Sequence, residues 1–185
     1  MHELSYNGRP VAILALIAAL CAPTVLSAQK EKKSPGVRSP FSLTVSSEAS
    51  TVKTGEPVRV VVVLWNQSDH EIPVYKAWSD DADQGGWVYK VEVQDDKGTT
   101  VPETTFYRHL QGHLTAEEDA KGGVMVMRSG SLIFLKPGKT ITDKVNVSKL
   151  SDLSRPGKYR IQFQRLDPES KTFVKSNTIA VAVVP

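Results

Sequence analysis

Val58-Arg59-Val60-Val61-Val62-Val63-Leu64-Trp65 is apolar at every position except Arg59. Consecutive valines lose side-chain freedom against the preceding turn of a helix, whereas a pleated strand accepts them readily. Val58, Val60, Val62 and Leu64 form one face of such a strand, and Val61, Val63 and Trp65 form the other. The run therefore predicts a central strand buried on both sides. Thr54-Gly55-Glu56-Pro57 precedes it and Asn66-Gln67-Ser68-Asp69 follows it. Both are turn chemistry, so the run is bounded.

The same two-residue period recurs outward in both directions. Phe41, Leu43 and Val45 alternate with serine and threonine, and further strands are predicted near 72–76, 88–94, 124–135, 140–147, 159–165 and 174–184. Asp95-Asp96-Lys97-Gly98, Pro137-Gly138 and Pro156-Gly157 punctuate them. The helical pattern at Thr115–Ala120 is short. This rhythm predicts an all-β fold, an immunoglobulin-like antiparallel β-sandwich of about 7–9 strands. Leu153-Ser154-Arg155-Pro156-Gly157-Lys158-Tyr159 sharpens the assignment. It delivers a tyrosine at the start of a strand, as the tyrosine corner of such sandwiches does. Two segments break the rhythm, 77–87 (AWSDDADQGGW) and 107–123 (YRHLQGHLTAEEDAKGG). Long loops on a rigid scaffold are where binding usually resides.

The N-terminus reads differently. Arg9 precedes an apolar run from Val11 to Ala22, and Val25-Leu26-Ser27-Ala28 supplies small residues before Gln29. That is the pattern of a secretory signal peptide over 1–28. The apolar run is too short to cross about 30 Å of hydrocarbon at about 1.5 Å per residue, so no transmembrane segment is expected after cleavage. Residues 29–40, QKEKKSPGVRSP, are polar and basic and read as a flexible linker. Residues 41–185 then form the sandwich domain, and the location expected is periplasmic or secreted.

Cys21, the one cysteine in the chain, lies inside the signal. The mature chain is thus expected to lack disulfides, zinc thiolates and a cysteine nucleophile. Leu20 before it is too large for a lipoprotein cleavage site. The formal charge is +3, and it resides in the linker, where Lys30, Lys32, Lys33 and Arg38 stand against Glu31. A basic tail on a balanced domain is not the footprint of nucleic-acid binding.

The sequence Leu64-Trp65-Asn66-Gln67-Ser68-Asp69, then Val91-Glu92-Val93-Gln94-Asp95, Leu135-Lys136-Pro137-Gly138 and Pro156-Gly157-Lys158-Tyr159 resembles two groups of bacterial proteins. These are the BsuPI-like intracellular proteinase inhibitors and uncharacterised secreted Ig-like β-sandwich proteins. The resemblance covers roughly 52–165, and SNTIAVAV at 176–183 is closer to the secreted group. It implies an Ig-like sandwich, with inhibition of an extracytoplasmic proteinase as an alternative role. No inhibitory residue is carried over from it.

Several constellations bear on chemistry. Asp81 and Asp83, with Gly86 at the sixth position and Glu92 at the twelfth, match four demands of an EF-hand calcium loop. Gly85 fails the fifth position, and 88–94 reads as a strand rather than an exit helix. A calcium-stabilised module is therefore an alternative, set against a solvated acidic loop. His109, His113 and Glu117 would share a face if their segment were helical, but Gly112 interrupts it and Leu110 stands where a zincin needs glutamate. Ser129-Gly130-Ser131 lacks the hydrolase elbow. Trp78 and Trp87 flank the acidic loop, with Tyr75 and Tyr89 just outside. These rings form a candidate recognition surface, against the alternative that they plug the end of the sandwich. The expectation is a non-enzymatic, exported binding or accessory domain of the cell envelope. It would present 77–87 and 107–123 to a protein or carbohydrate partner, with Tyr75, Trp78, Trp87, Tyr89, His109 and His113 as binding residues. No ligand identity or oligomeric state follows from the sequence.

Overall fold

Alternating burial organises the chain into strands, and the computed structural model describes residues 39–77, 85–120 and 130–185. The described strands are β1 (Phe41–Ser47), β2 (Thr51–Lys53), β3 (Arg59–Asn66), β4 (Ile72–Ala77), β5 (Lys90–Gln94), β6 (Gly130–Leu135), β7 (Thr140–Asn146), β8 (Gly157–Leu166) and β9 (Phe173–Val184). Two short helices, α1 (Thr105–Gln111) and α2 (Ala116–Ala120), lie between β5 and β6.

One sheet has the order β1-β3-β7 and the other β2-β9-β8-β5, while β4 and β6 pair as a separate antiparallel ribbon. The neighbours β1-β3-β7 and β5-β8-β9 reproduce the A-B-E and C-F-G relations of an immunoglobulin-like sandwich. Short β2 is the exception to antiparallel pairing, running parallel to β9.

Val60, Val62 and Leu64 of β3 face Ile161 and Phe163 of β8 and Val181 of β9 within one buried cluster. Each fully buried aliphatic side chain of this kind stabilises by about 1.5–3 kcal/mol relative to exposure. The tyrosine corner is present: Tyr159 is buried, and its hydroxyl donates to the Arg155 carbonyl at 2.7 Å.

The sheets are also joined by polar pairing. The β8–β9 register shifts between Gln162 and Gln164, and near that irregularity Asn177 reaches across to β1. Its side chain accepts from the Val45 N–H at 2.8 Å and donates to the Val45 carbonyl at 2.9 Å. A bulge re-aims side chains in this way.

β3 departs from the expectation of burial on both faces. It is central, between β1 and β7, and its inner residues are buried, but Val61 and Val63 are partly exposed and Trp65 is 46% exposed. A two-layer fold offers no third layer to cover that face. The strand expected from residue 88 begins at Lys90, because Gly85–Val88 form a 3-10 turn. The strand expected over 124–135 is described from Gly130 onward, and 124–129 lie outside the described residues.

Candidate functional site

The ribbon of β4 and β6 stands apart from both sheets and carries an unusual face. Its register places Pro73 opposite Phe134 and Tyr75 opposite Leu132. Directly opposed residues share a face. Ile72, Val74 and Leu135 point into the core, leaving Phe134 64%, Tyr75 53% and Leu132 47% exposed. A contiguous set of large apolar side chains in water is the informative departure from ordinary surface composition.

Beside this face stands Trp87, its ring edge-on to that of Tyr75 at 6.2 Å and an interplanar angle of 63°. Gly130 lets the strands approach closely here. A methyl group at Gly130 would lie 2.7 Å from the Lys76 carbonyl oxygen and 3.1 Å from the Trp87 ring.

A buried polar network fixes the ribbon to the sandwich. Tyr89 donates its hydroxyl proton to Asp143 Oδ2 of β7 at 2.5 Å, and Arg165 of β8 donates to the same hydroxyl oxygen at 3.3 Å. The Arg165 guanidinium also lies 5.2 Å from the Tyr89 ring centroid and donates through its other terminal nitrogen to the Tyr75 carbonyl of β4. Burial holds the Tyr89 hydroxyl above its ordinary value of 10.0, with Arg165 opposing and Asp143 reinforcing the shift. At the far end, Asn66 Nδ2 donates to the carbonyls of Leu135 and His70.

The 107–123 segment is partly helical. Thr104 caps α1 by accepting from the Tyr107 N–H at 3.1 Å, and Gly112, at φ 74°, ends it. Tyr107 is buried and closes the edge of β5, accepting from the Val91 N–H at 3.1 Å and donating to the Tyr89 carbonyl at 3.0 Å. Thr115 and Glu118 form a reciprocal cap at the start of α2, the Glu118 N–H donating to Thr115 Oγ1 and the Thr115 N–H to Glu118 Oε2. Arg108 binds Glu118, and that hydrogen bond, with the Thr115 N–H, holds the Glu118 carboxyl at about 2.

The expected site residues fare unequally. Tyr75 and Trp87 are brought together beside the exposed face. Tyr89 is 1% exposed, so its ring is core and cannot meet a partner. His109 lies on α1, but the left-handed Gly112 ends the helix and leaves His113 beyond it, so no shared helical face forms with Glu117. Glu92 stands on β5 with Oε1 3.8 Å from the Lys90 ammonium. Trp78, Asp81 and Asp83 lie outside the described residues. Among the described residues no cluster of three metal-ligating side chains occurs, and no helix is long and apolar enough to cross a membrane.

No protein-family model matches the chain, and no curated protein matches it. Solved structures similar to it include a β-glucosidase from Listeria innocua in complex with isofagomine, at 18% identity and TM-score 0.40, with 80% of this chain and 16% of that one covered. The CARDB domain of the PF1109 protein of Pyrococcus furiosus, in complex with di-metal ions, is 14% identical with TM-score 0.39, covering 79% and 89%. A β-glucosidase of Erythrobacter marinus is 13% identical with TM-score 0.38, covering 79% and 16%. The chain thus spans a small fraction of the length of the glucosidases it matches.

Sequence reasoning missed Leu132 and Phe134. They stand in the unbroken apolar run Leu132-Ile133-Phe134-Leu135, where period alone does not say which side chains turn outward. It also missed α1, although Thr104 and Gly112 are the expected start and stop residues of a helix. A cleft of about 450 Å³ at the junction of 102–105, α1 and 152–154 is lined by Glu56, Glu103, Arg108 and Asp152 among others. Two of its hydroxyls are structural: Ser148 Oγ accepts from the Val58 N–H at 2.9 Å, and Thr104 caps α1.

Proposed function

We propose that this chain is an exported, non-enzymatic immunoglobulin-like module of the cell envelope whose β4–β6 ribbon binds a protein partner. The observation that carries the reading is the exposed face formed by Tyr75, Leu132 and Phe134 beside Pro73. The Tyr75 hydroxyl is the polar side-chain group of that face. A sugar needs directional hydrogen bonds, whereas a protein surface can seat an apolar side chain among these four, so a protein suits the face better than a glycan. The buried Arg165–Tyr89–Asp143 network favours a fixed surface, and presenting rings in one geometry lowers the ordering cost of association. The reading shifts the contact from the two loops themselves to the ribbon, with Trp87 at the foot of the first loop supporting Tyr75.

The test compares wild type with Leu132→Ser/Phe134→Ser and with Thr142→Ser on an exposed position of β7. Each is cross-linked in producing cells, fractionated, and recovered from the envelope. The reading expects a mature N-terminus at or near Gln29 and one adduct of fixed stoichiometry in wild type and Thr142→Ser. Retention of that adduct by the doubly substituted ribbon would overturn the protein-binding role. An uncleaved cytoplasmic product would overturn export.

A further inference from the structure

We propose that the free edge of β6 pairs with the same edge of a second copy of this chain, joining two β4–β6 ribbons into one four-stranded sheet. Such pairing rests on the protein-binding role of the ribbon and names the partner. The Lys76 carbonyl oxygen leans on Gly130, 2.7 Å from where a methyl group would stand there, so it points toward β6. Lys76 and Ser131 are opposed and therefore exchange backbone hydrogen bonds, as do Val74 with Ile133 and Ile72 with Leu135. Tyr75 and Pro73, the alternate residues, turn their backbone groups away from β6, and the Tyr75 carbonyl accordingly meets Arg165. Opposite them, Leu132 and Phe134 turn both N–H and C=O away from β4. No group of the described residues binds these.

The other strand edges are closed. Asn177 occupies the outer edge of β1 by binding both the N–H and the carbonyl of Val45. Along β5 the Tyr107 hydroxyl takes the Val91 N–H and the Tyr89 carbonyl, and the Val101 N–H takes the Val93 carbonyl. The outer edge of β4 has Pro73, which lacks an N–H, and Arg165 on Tyr75. β2 is three residues long, and β7 carries exposed Lys144. Capping, proline, brevity and charge are the devices that keep a strand edge from pairing. Gly130-Ser131-Leu132-Ile133-Phe134-Leu135 of β6 has none of them among the described residues.

An identical strand is complementary to this edge. Antiparallel pairing about a two-fold axis at Ile133 sets Leu132 opposite Phe134 of the second copy, and Phe134 opposite its Leu132. Each opposed pair exchanges two backbone hydrogen bonds, so every outward group of both residues is satisfied in both copies. The opposed side chains share a face, and the exposed apolar set of one ribbon continues into that of the other. With no charge from Gly130 to Leu135, identical strands do not repel one another. Lys136, the next residue, falls beside Gly130 of the second copy. The contact uses the same patch on both copies and closes at the dimer, because the blocked edge of β4 stops the sheet at four strands. A six-residue edge buries less than the about 1,200–2,000 Å² of a standard interface, so the dimer is weak, with a dissociation constant in the micromolar range.

The test is sedimentation equilibrium of the full chain, purified from producing cells, from about 1 to about 100 μM, with amide hydrogen exchange at both ends of that range. A reversible monomer–dimer equilibrium is expected, with slower exchange at Leu132 and Phe134 in the dimer and unchanged exchange at Val45. Leu132→Lys and Phe134→Glu should each weaken dimerisation about tenfold or more, through like charges across the seam. An equimolar mixture of the two should recover a heterodimer, which variants that fail to fold cannot do. Phe134→Pro removes an outward N–H and none that β4 uses, so it should also abolish the dimer, while Thr142→Lys on β7 should not. A dimer indifferent to Leu132→Lys and Phe134→Pro, or no recovery on mixing, would overturn the pairing. A chain monomeric at about 100 μM whose ribbon still cross-links to a different protein would overturn the second copy as partner and leave the role of the ribbon standing. A monomer without any adduct would overturn both.

Discussion

The hydroxyl of Tyr89 is the point at which three parts of the molecule meet. It links Asp143 of β7 with Arg165 of β8, while Arg165 also holds the Tyr75 carbonyl of β4. A buried charged group that loses one hydrogen bond retains its desolvation cost, so Tyr89→Phe is expected to destabilise the fold by about 1–3 kcal/mol. Urea unfolding measures this directly, and an unchanged midpoint would mean the hydroxyl contributes nothing. The sequence expects Tyr89 to be a surface ring beside Trp87 and Tyr75, but the ring is buried. Neighbours in sequence at the end of a strand alternate between faces. Only the packing against Phe163, whose ring is edge-on at 5.6 Å, decides that Tyr89 faces inward.

At the level of elements, the strands were legible because turn residues bound them and their inner positions alternate. Pro137-Gly138 and Asp95–Gly98 do adopt turns, with Gly138 at φ 69° and Gly98 at φ 80°. The ribbon was less legible, because Leu132–Leu135 is apolar on both faces and its pairing with β4 is distant in sequence. In the segment between β5 and β6 the short helical pattern at Thr115–Ala120 corresponds to α2, whereas the seven residues of α1 are too few to show a period.

Their junction is titratable. Glu118 sits at about 2 against an ordinary 4.5, so its contribution is complete above 4.5 and is lost as pH falls toward 2. Nuclear magnetic resonance of the Thr115 and Glu118 amides should therefore show the cap opening over that interval, with Glu118→Gln mimicking the acid state at neutral pH. Amides that ignore both changes would show that the Arg108–Glu118 contact does not hold the two helices together.

For the molecule as a whole, two layers of alternating aliphatic side chains make a rigid platform, and function rests on what the platform leaves uncovered. The fold follows from periodicity and from the tyrosine corner, both readable in the chain. The surfaces do not, because the same alternation that buries one face leaves open whether the other meets water or a partner.

The most direct measurement places a photoreactive amino acid at position 134 in the full chain and irradiates the producing cells. A single protein adduct at 134, absent when the same group replaces Thr142, is the predicted result. No adduct at 134, or the same adducts from both positions, would contradict the assignment of the β4–β6 ribbon as the binding face.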